Sequence, residues 1–563
     1  MKAKSLPVAC ACAMLLQVCG GSSAGEPGPT GQTGPTSSEP NFSALKADVA
    51  CQSMAGVAID ESAIGLPTSG ARVTSATFVK ATDTGNASGE YCQVDGEIKS
   101  VDPNAQNIKF RVNLPSDWND KALHFGGGGY DGVLPNTTGL ASLGLYTAPT
   151  PLASGYVTLG SDSGHQNPNT NDASFGLNDE QLINFAHMAI KKVRDVGFKL
   201  TKYRYGHEPR RIYFTGGSSG GRAAAMAALK YPESFDGVIM NYPVSNFTEV
   251  RSWGASLRAA IYDENSAGWI PPTLVNKIAA DTRAACDGLD GALDGLVSNM
   301  AACRAKSADY LASITCKNGE TGNPETCLTP IQIERTIKVY HEGYTVPYSF
   351  ANNVNKYEGY NVIEGNAMAI GSQPQYLDPP VSGPNAHHVA RADGFFRYII
   401  ARDPNFSMTN YDVQNPGPHL SRLLAISEMM DATNPDWTPF FKKGGKVLLV
   451  HGLDDVSLSP YQTVAQYNAM VAKMGKVTVD KSVRFYLVPG LGHGVGDFLL
   501  SWDNLNILDN WVENGVAPPA TPIAYDSNKA TKGRSRPMCA YPTWPKYNGS
   551  GSLDAASNFT CVN

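Results

Sequence analysis

The chain has 563 residues, of which 42% are hydrophobic and 17% are charged, a composition typical of a globular protein with a large core. Its length exceeds that of one small domain, so we expect more than one structural unit. The net charge of −6 and the lack of a long basic run argue against a nucleic-acid partner. We expect a monomer.

The N-terminus is typical of an export signal. Residues 1–24 contain two early lysines and an apolar run too short to span a membrane. Cleavage after Ala24 predicts a secreted or periplasmic protein, whereas "LLQVC", ending at Cys19, resembles a lipoprotein box and predicts a lipid-anchored outer-membrane protein. Residues 25–45 are rich in Gly, Pro, Ser and Thr, and we expect them to form a disordered linker.

The cysteine content agrees with export. Three of the eleven cysteines lie in the signal region, and the other eight are an even number, as expected in an oxidising compartment. Sequence alone does not fix how eight cysteines pair. Local spacing suggests four disulfides, namely Cys51–Cys92, Cys286–Cys303, Cys316–Cys327 and Cys539–Cys561.

Strand-like and helix-like segments alternate along most of the chain. Apolar runs such as "KALHFGGGG" and "RRIYFTGG" end in glycine turns, and helical patterns such as "GRAAAMAALKYP" lie between them. The alternation predicts an α/β fold with a buried, mostly parallel sheet built from residues 46–247 and 438–563. Residues 248–437 break this rhythm, and we expect them to form an inserted lid domain above the C-terminal edge of the sheet, where ligands commonly bind.

Two adjacent serines lie in the stretch 216–221, "GGSSGG", between a predicted strand and a predicted helix. This is the context of the G-x-S-x-G nucleophile elbow, in which a sharp turn exposes the serine hydroxyl. Two frames of the motif fit, one centred on Ser218 and one on Ser219, and the pattern alone leaves both open. In the first frame, the backbone N–H of Ser219 can donate to an oxyanion.

A serine nucleophile needs a base, and in α/β-hydrolases the chain order is Ser, then Asp or Glu, then His. "VLLVHGLDD" ends a predicted strand with Asp454 and Asp455, and "FYLVPGLGHG" ends the next with His493. Spacing does not separate the two aspartates. Earlier, "HFGGGGYDG" follows a predicted strand where esterases carry the second oxyanion donor, which points to the backbone N–H groups of Gly128 and Gly129.

These motifs carry a family resemblance. "FGGGGYDG", "SDSGHQ", "DASFG", "YFTGGSSGGR", "HGLDD" and "VPGLGHG" occur in order and resemble the tannase and feruloyl esterase family over nearly the whole mature chain. The resemblance implies an α/β-hydrolase fold with a lid, and a serine esterase that hydrolyses small aromatic esters of the feruloyl, galloyl or terephthaloyl type. It also implies that Ser218 is the nucleophile and Asp455 the acid.

Two other function classes stay open, a non-catalytic ligand-binding relative and a serine peptidase of the same fold. Intact Ser218, Asp455 and His493 argue against the first, and the second shares the triad chemistry. We interpret Asp162 and His165 of "SDSGHQ" as structural supports, since a second catalytic histidine would need its own acid.

The stretch "CDGLDGALDG" at 286–295 contains Asp287, Asp290 and Asp294 at short spacing. Clustered hard oxygen ligands suit Ca²⁺, but the spacing is not that of an EF-hand, and an acidic surface turn is equally consistent with it. The resemblance implies a structural calcium site in the lid, completed by the backbone carbonyls of Ala292 and Leu296.

Substrate contacts are expected from the lid. Arg391 lies near Phe395 in "HHVARADGFFRYIIARD", and such an arginine can pair with a substrate carboxylate while the aromatic ring stacks on the substrate. A surface ion pair is the alternative for this arginine. A terephthalate monoester needs a carboxylate anchor, whereas a hydroxycinnamate or gallate ester does not.

The sequence departs from the family pattern at two positions. Most members carry cysteines directly before the catalytic serine and directly after the histidine, joined as a disulfide, whereas this chain has Gly217 and Gly494. Packing and hydrogen bonds must therefore replace the covalent link. The resemblance implies that cysteines introduced at both positions would lie within bonding geometry.

Overall fold

The computed structural model describes residues 45–317 and 326–563. The predicted signal peptide at 1–24, its candidate anchor Cys19, and residues 25–44 of the predicted linker lie outside these ranges. Within them, no helix is both long enough and apolar enough to cross a bilayer.

A ten-stranded mixed sheet forms the centre of the molecule. In chain order its strands are β1 (Ala58–Ile59), β2 (Ala71–Val79), β3 (Tyr91–Ile98), β4 (Ile108–Pro115), β5 (Lys121–Phe125), β6 (Val157–Ser161), β7 (Arg211–Ser218), β8 (Gly237–Pro243), β9 (Lys446–Gly452) and β10 (Val483–Val488). Their order across the sheet is β10-β9-β8-β7-β5-β6-β4-β3-β2-β1. Pairings from β10 to β6 are parallel, and those from β6 to β1 are antiparallel.

The parallel part of the sheet is buried on both faces. Along β7, Ile212 and Phe214 pack into one apolar cluster, while Tyr213 packs into a second cluster on the opposite face. The helix Ser219–Lys230 covers the first face, and the helix Asn504–Asn514 covers the second. Helices on both faces of this parallel part explain its continuous apolar strands, and the predicted α/β fold is confirmed. The whole sheet is more mixed than predicted, because β1 to β4 join it through four antiparallel pairings.

Helices connect the strands and are the main regular structure of residues 248–437. The α-helices are Asp179–Ile183, Ala189–Tyr205, Ser219–Lys230, Phe247–Ser266, Pro272–Cys286, Met300–Arg304, Ser307–Ile314, Pro330–Gln332, Lys338–Glu342, His387–Gly394, Leu420–Met430, Thr438–Lys442, Pro460–Met474, Lys476–Asp480 and Asn504–Asn514. π-Helical turns occur at Asn184–Met188, Ile333–Ile337 and Phe395–Ile400.

Within the described ranges, residues 248–437 add no strand to the main sheet. They have an apolar core of their own, in which the Trp253 indole contacts the rings of Tyr340 and Tyr360. Phe175, in the 3-10 turn Ser174–Leu177, and Phe185, in the π-helical turn Asn184–Met188, belong to the same cluster. The inserted segment therefore packs directly on the helical connection that follows β6.

Short sheets and disulfides tie down the periphery. Leu45, the last residue of the predicted linker, lies in a two-residue strand that pairs with Asp117–Trp118. The other short sheets pair Gly343–Thr345 with Lys356–Glu358, Ile523–Asp526 with Leu500–Ser501 and Ser535–Pro537, and Trp544–Tyr547 with Phe559–Val562. All four predicted disulfides are confirmed: Cys51–Cys92, Cys286–Cys303, Cys316–Cys327 and Cys539–Cys561.

Candidate active site

The two serines lie at the sharp turn between β7 and the helix Ser219–Lys230. Ser218 has φ 59° and ψ −122°, a conformation that a non-glycine residue adopts only under strain. The flanking glycines let the chains approach closely, because a Cβ atom on Gly220 would lie 2.6 Å from the carbonyl oxygen of Gly127. A strained serine at this turn is the geometry of a nucleophile elbow.

The two serine side chains have different surroundings. Ser219 is 3% exposed, and its Oγ donates a hydrogen bond to the carbonyl oxygen of Gly129 at 2.5 Å. Ser218 lines the adjoining cavity and its hydroxyl makes no hydrogen bond with another described residue. The geometry therefore favours the frame centred on Ser218, which the sequence pattern alone left open.

The histidine of the C-terminal motif contacts one of the two candidate aspartates. His493 Nδ1 lies 2.8 Å from Asp455 Oδ2. Asp454 faces a different group, since its Oδ1 accepts a hydrogen bond from the backbone N–H of Gly490 and its Oδ2 lies 3.7 Å from Arg283. Burial raises the pKa of Asp454 to about 6. Only Asp455 is therefore placed to orient His493.

Asp455 is fully buried and yet held as an anion. Burial alone would raise its pKa, but the imidazoles of His493 and His451 outweigh burial and bring the pKa below its ordinary value. His451 Nε2 lies 3.4 Å from Asp455 Oδ2, and the other carboxylate oxygen accepts the N–H groups of Ser457 and Leu458. Sequence reasoning missed His451, whose signal is its place four residues before the acid in "HGLDD".

A cavity of about 90 Å³ is lined by loops from both parts of the sheet-bearing core and by residues of the inserted segment. Ser218, Ser219, Gly129 and His493 line it from the sheet side. The described hydrogen bonds include none between Ser218 and His493; such contacts are often long until substrate binds. The cavity therefore exposes a serine and an oriented imidazole to the same space.

The glycine loop after β5 lies against the elbow. Gly129 has φ +64°, and a Cβ atom there would lie 2.4 Å from the carbonyl oxygen of Thr170, so only glycine fits. Gly128 faces open space but does not line the cavity. Among the described residues, none accepts a hydrogen bond from the N–H of Gly129 or Ser219, which leaves both donors available.

Asp162 and His165 lie behind this loop and outside the cavity. His165 Nε2 lies 2.7 Å from the carbonyl oxygen of Tyr130, and burial lowers the pKa of this histidine to about 4, which makes it a neutral donor. Asp162 Oδ1 accepts the N–H groups of Lys109 and Gly164. Both side chains brace backbone and are buried, in agreement with a supporting role.

Two lid arginines face the cavity without a carboxylate partner. Arg391 Nε donates to His387 Nε2 at 3.0 Å, and burial together with Arg251 lowers the pKa of Arg391 to about 10. Arg251 is 5% exposed and lies over the rings of Tyr130 and Phe247. Neither arginine forms an ion pair within residues 45–317 and 326–563. Sequence reasoning missed Arg251, which lies between Val250 and Trp253 near the start of its helix.

Phe395 is not where the sequence suggested. Its ring is fully buried in the lid core, 5.3 Å from the Phe396 ring and 6.2 Å from the Phe247 ring, and it does not line the cavity. The α-helix that carries Arg391 ends at Gly394, and a π-helical turn begins at Phe395. Phe395 still lies one α-helical turn after Arg391, because its N–H bonds the Arg391 carbonyl oxygen, but its ring turns into the apolar lid core instead of towards the cavity.

The acidic loop at 286–295 uses its aspartates to bind backbone. Asp290 accepts the N–H of Ala292, and Asp294 accepts the N–H of Leu296 and pairs with Arg536. Burial raises the pKa of Asp290, and the nearby Asp294 carboxylate raises it further.

Asp287 Oδ1 accepts the N–H groups of Asp294 and Gly295, so all three aspartates fold the same loop. Among the described residues, no three His, Cys, Asp or Glu side chains converge closely enough to form a metal-binding group. The donor chemistry of clustered carboxylates suits Ca²⁺. The calcium site therefore stays a prediction.

Comparison with known proteins gives a consistent result. The family model described as tannase and feruloyl esterase matches residues 92–562. An uncharacterized esterase of Agrobacterium fabrum is 51% identical over 513 residues, covering 91% of this chain and 93% of the relative. Mono(2-hydroxyethyl) terephthalate hydrolase of Piscinibacter sakaiensis is 28% identical, covering 86% of each chain. The crystal structure of feruloyl esterase B from Aspergillus oryzae aligns with a TM-score of 0.72 at 24% identity, covering 88% of this chain and 98% of that one.

Proposed function

Because the chain belongs to the tannase and feruloyl esterase family and is a carboxylic ester hydrolase of the α/β-hydrolase fold, we propose that it hydrolyses esters of aromatic acids through an acyl-enzyme on Ser218. The observation that carries this proposal is the 2.8 Å contact between His493 Nδ1 and Asp455 Oδ2, on the wall of the cavity that Ser218 also lines. A carboxylate on Nδ1 favours the tautomer that leaves Nε2 free to act as a base, in the cavity that the half-buried serine lines.

The proposed reaction has two halves. An ionised carboxylate only accepts hydrogen bonds, so Asp455 keeps the proton of His493 on Nδ1 and leaves Nε2 free to take the proton of Ser218. Ser218 Oγ then attacks the ester carbonyl, and the imidazolium returns the proton to the departing alcohol. Water repeats the sequence on the acyl-enzyme and releases the acid.

The negative charge of each tetrahedral intermediate needs donors that are already in place. The backbone N–H of Ser219 at the elbow and that of Gly129 in the glycine loop are both available, and Gly128 precedes Gly129 in the same loop. One such donor is worth about 3 kcal/mol of transition-state stabilisation.

Substitution and labelling test the assignment. We expect Ser218→Ala to abolish both ester turnover and labelling by a fluorophosphonate, and His493→Ala to act almost as strongly, because the two residues work as a unit. Ser219→Ala keeps the oxyanion N–H and serves as the matched control. A dead Ser219→Ala with an active Ser218→Ala would reverse the frame. Labelling with peptide cleavage but no ester turnover would favour the peptidase alternative.

The unpaired arginines support a carboxylate-bearing aromatic ester as substrate, with Arg391 as its anchor. Two cations that share a buried cavity repel one another, and an anionic ligand relieves that repulsion. A neutral feruloyl or galloyl ester would leave both without a partner. Phe395, buried in the lid core, is no longer proposed as a contact.

Calcium and export complete the proposal. Ca²⁺ bound by the 286–295 loop would stabilise the lid and take no part in the chemistry. Four disulfides fit folding in an oxidising compartment. Secretion to the periplasm or medium, or anchoring through Cys19, follows from the N-terminal sequence, and palmitate labelling of a Cys19→Ser variant distinguishes the two.

A further inference from the structure

One tyrosine ring lies between the loop of the proposed nucleophile and the loop of the proposed base. A Cβ atom on Gly217 would lie 2.5 Å from Cε2 of Tyr242, and one on Gly494 would lie 2.9 Å from its Oη. The same ring packs on the imidazole of His493 with a centroid distance of 4.8 Å. Tyr242 thus touches the residue before Ser218, the residue after the histidine, and the histidine itself.

The backbone is irregular at the point that places this ring. Asn241 of β8 pairs with Gly217, and Pro243 pairs with Ser218, so Tyr242 is the extra residue of a bulge. Its φ of 33° lies outside the regions that L-residues favour. Bulges beside active sites re-aim side chains, and strained residues persist there only when the surroundings hold them.

Tyr242 does not contact the substrate space. It is absent from the residues that line the Ser218 cavity, and burial raises the pKa of its phenol, so the ring stays neutral. Asp455 holds His493 through one hydrogen bond, which leaves the imidazole free to tilt about that bond. A ring packed on the imidazole removes this freedom.

We propose that Tyr242 is a positioning residue that holds His493 in register with Ser218 by filling the space between their two loops. This inference rests on the proposed role of His493 as the base. It also changes the expectation for cysteines at 217 and 494, since the tyrosine occupies the space into which both Cβ atoms would project.

Kinetics of Tyr242→Phe and Tyr242→Ala test the proposal with a small activated ester, 4-nitrophenyl acetate. We expect the Phe variant to keep kcat within about threefold, because the ring and its packing remain. We expect the Ala variant to lose roughly 10²-fold in kcat with little change in KM, as for a catalytic group displaced by about 1 Å. Tyr467→Ala is the matched control. Tyr467 is a buried tyrosine that packs on Phe485 away from the cavity, so its replacement should lower Tm without affecting His493.

Two kinetic results would overturn the proposal. One is a folded Ala variant with wild-type kcat, and the other is a Phe variant as impaired as the Ala variant, which would assign the effect to the hydroxyl. Failure of the proposed function is distinguishable, because Ser218→Ala would then remain active whatever happens at Tyr242.

A cross-linking experiment is independent of how well the Ala variant folds. We expect Gly217→Cys with Gly494→Cys to leave two titratable thiols while Tyr242 is present. Adding Tyr242→Gly should allow the disulfide to form and restore kcat under oxidising conditions, with loss again on reduction. A disulfide in the presence of Tyr242, or none in its absence, would contradict the placement of the ring.

Discussion

Charge selectivity is the sharpest consequence of the two unpaired lid arginines. Arg391 remains cationic at neutral pH even though burial lowers its pKa to about 10, and its Nε is already bound to a neutral histidine. Its other N–H groups are left for a ligand. A hydrogen bond between ionised groups contributes about 1.5–3 kcal/mol, so Arg391→Gln should lower kcat/KM for a carboxylate substrate roughly 10- to 150-fold.

The assay compares monomethyl terephthalate with methyl 4-carbamoylbenzoate, a neutral ester of nearly the same shape. We expect Arg391→Gln to affect the first strongly and the second little, and Arg251→Gln to change selectivity in the same direction. Arg402→Gln is the control, since this lid arginine pairs with Asp179 and does not line the cavity. Equal loss on both esters, or methyl ferulate preferred by the unmodified enzyme, would refute the anionic anchor.

Three further predictions follow. Asp455→Asn should lower kcat about 10⁴-fold by misorienting His493. Asp454→Asn should keep activity and raise the free energy of unfolding at pH 8 by at most about 3 kcal/mol, because the pKa of this aspartate is raised to about 6 in the folded protein. Urea titrations should show that this gain disappears below pH ~4, where the aspartate is protonated in both the folded and the unfolded state. Chelation by EGTA should lower Tm in a manner reversed by Ca²⁺ and absent in Asp290→Ala, and an unchanged Tm at every chelator concentration would remove the calcium proposal. Phe395→Ala should destabilise the protein by about 3–5 kcal/mol with KM nearly unchanged, whereas a raised KM at unchanged stability would return Phe395 to the substrate site.

The sequence was most informative where function depends on order along the chain. The alternation of apolar strands and helices gave the sheet, and short separations gave the disulfides, because closing a short loop costs little entropy. The motifs alone left the serine frame and the choice of aspartate open. The family resemblance implied Ser218 and Asp455, and the contacts in the structure favour the same two residues. Side chains of adjacent residues point in different directions at the end of a strand, so a sequence motif does not show which of two neighbours faces the site.

The residues that sequence reasoning missed depend on how the chain folds back on itself, over four residues in one case and between separate helices in the other. His451 meets Asp455 only because the chain turns back after β9, and Arg251 meets Arg391 only because two lid helices adjoin. Phe395 failed for a different reason: the four-residue spacing from Arg391 holds, but the ring packs into the lid core beside Phe247, and helical spacing does not show which neighbour a side chain will meet. Packing of this kind is not encoded in local periodicity.

Two strained residues lie close together on the neighbouring strands β7 and β8. Ser218 has φ 59° and Tyr242 has φ 33°, and the residue after the tyrosine pairs with the serine. Each conformation is unfavourable alone, so the parallel pairings and the packed clusters on both faces must hold them. Both residues lie at the C-terminal edge of the six parallel strands, so the packing that stabilises the sheet also fixes the positions of the site residues. Glycine then has a cause at each position: a Cβ atom at 217 would collide with the tyrosine ring, and Gly494 combines a φ of +71° with a Cβ position close to the phenol oxygen.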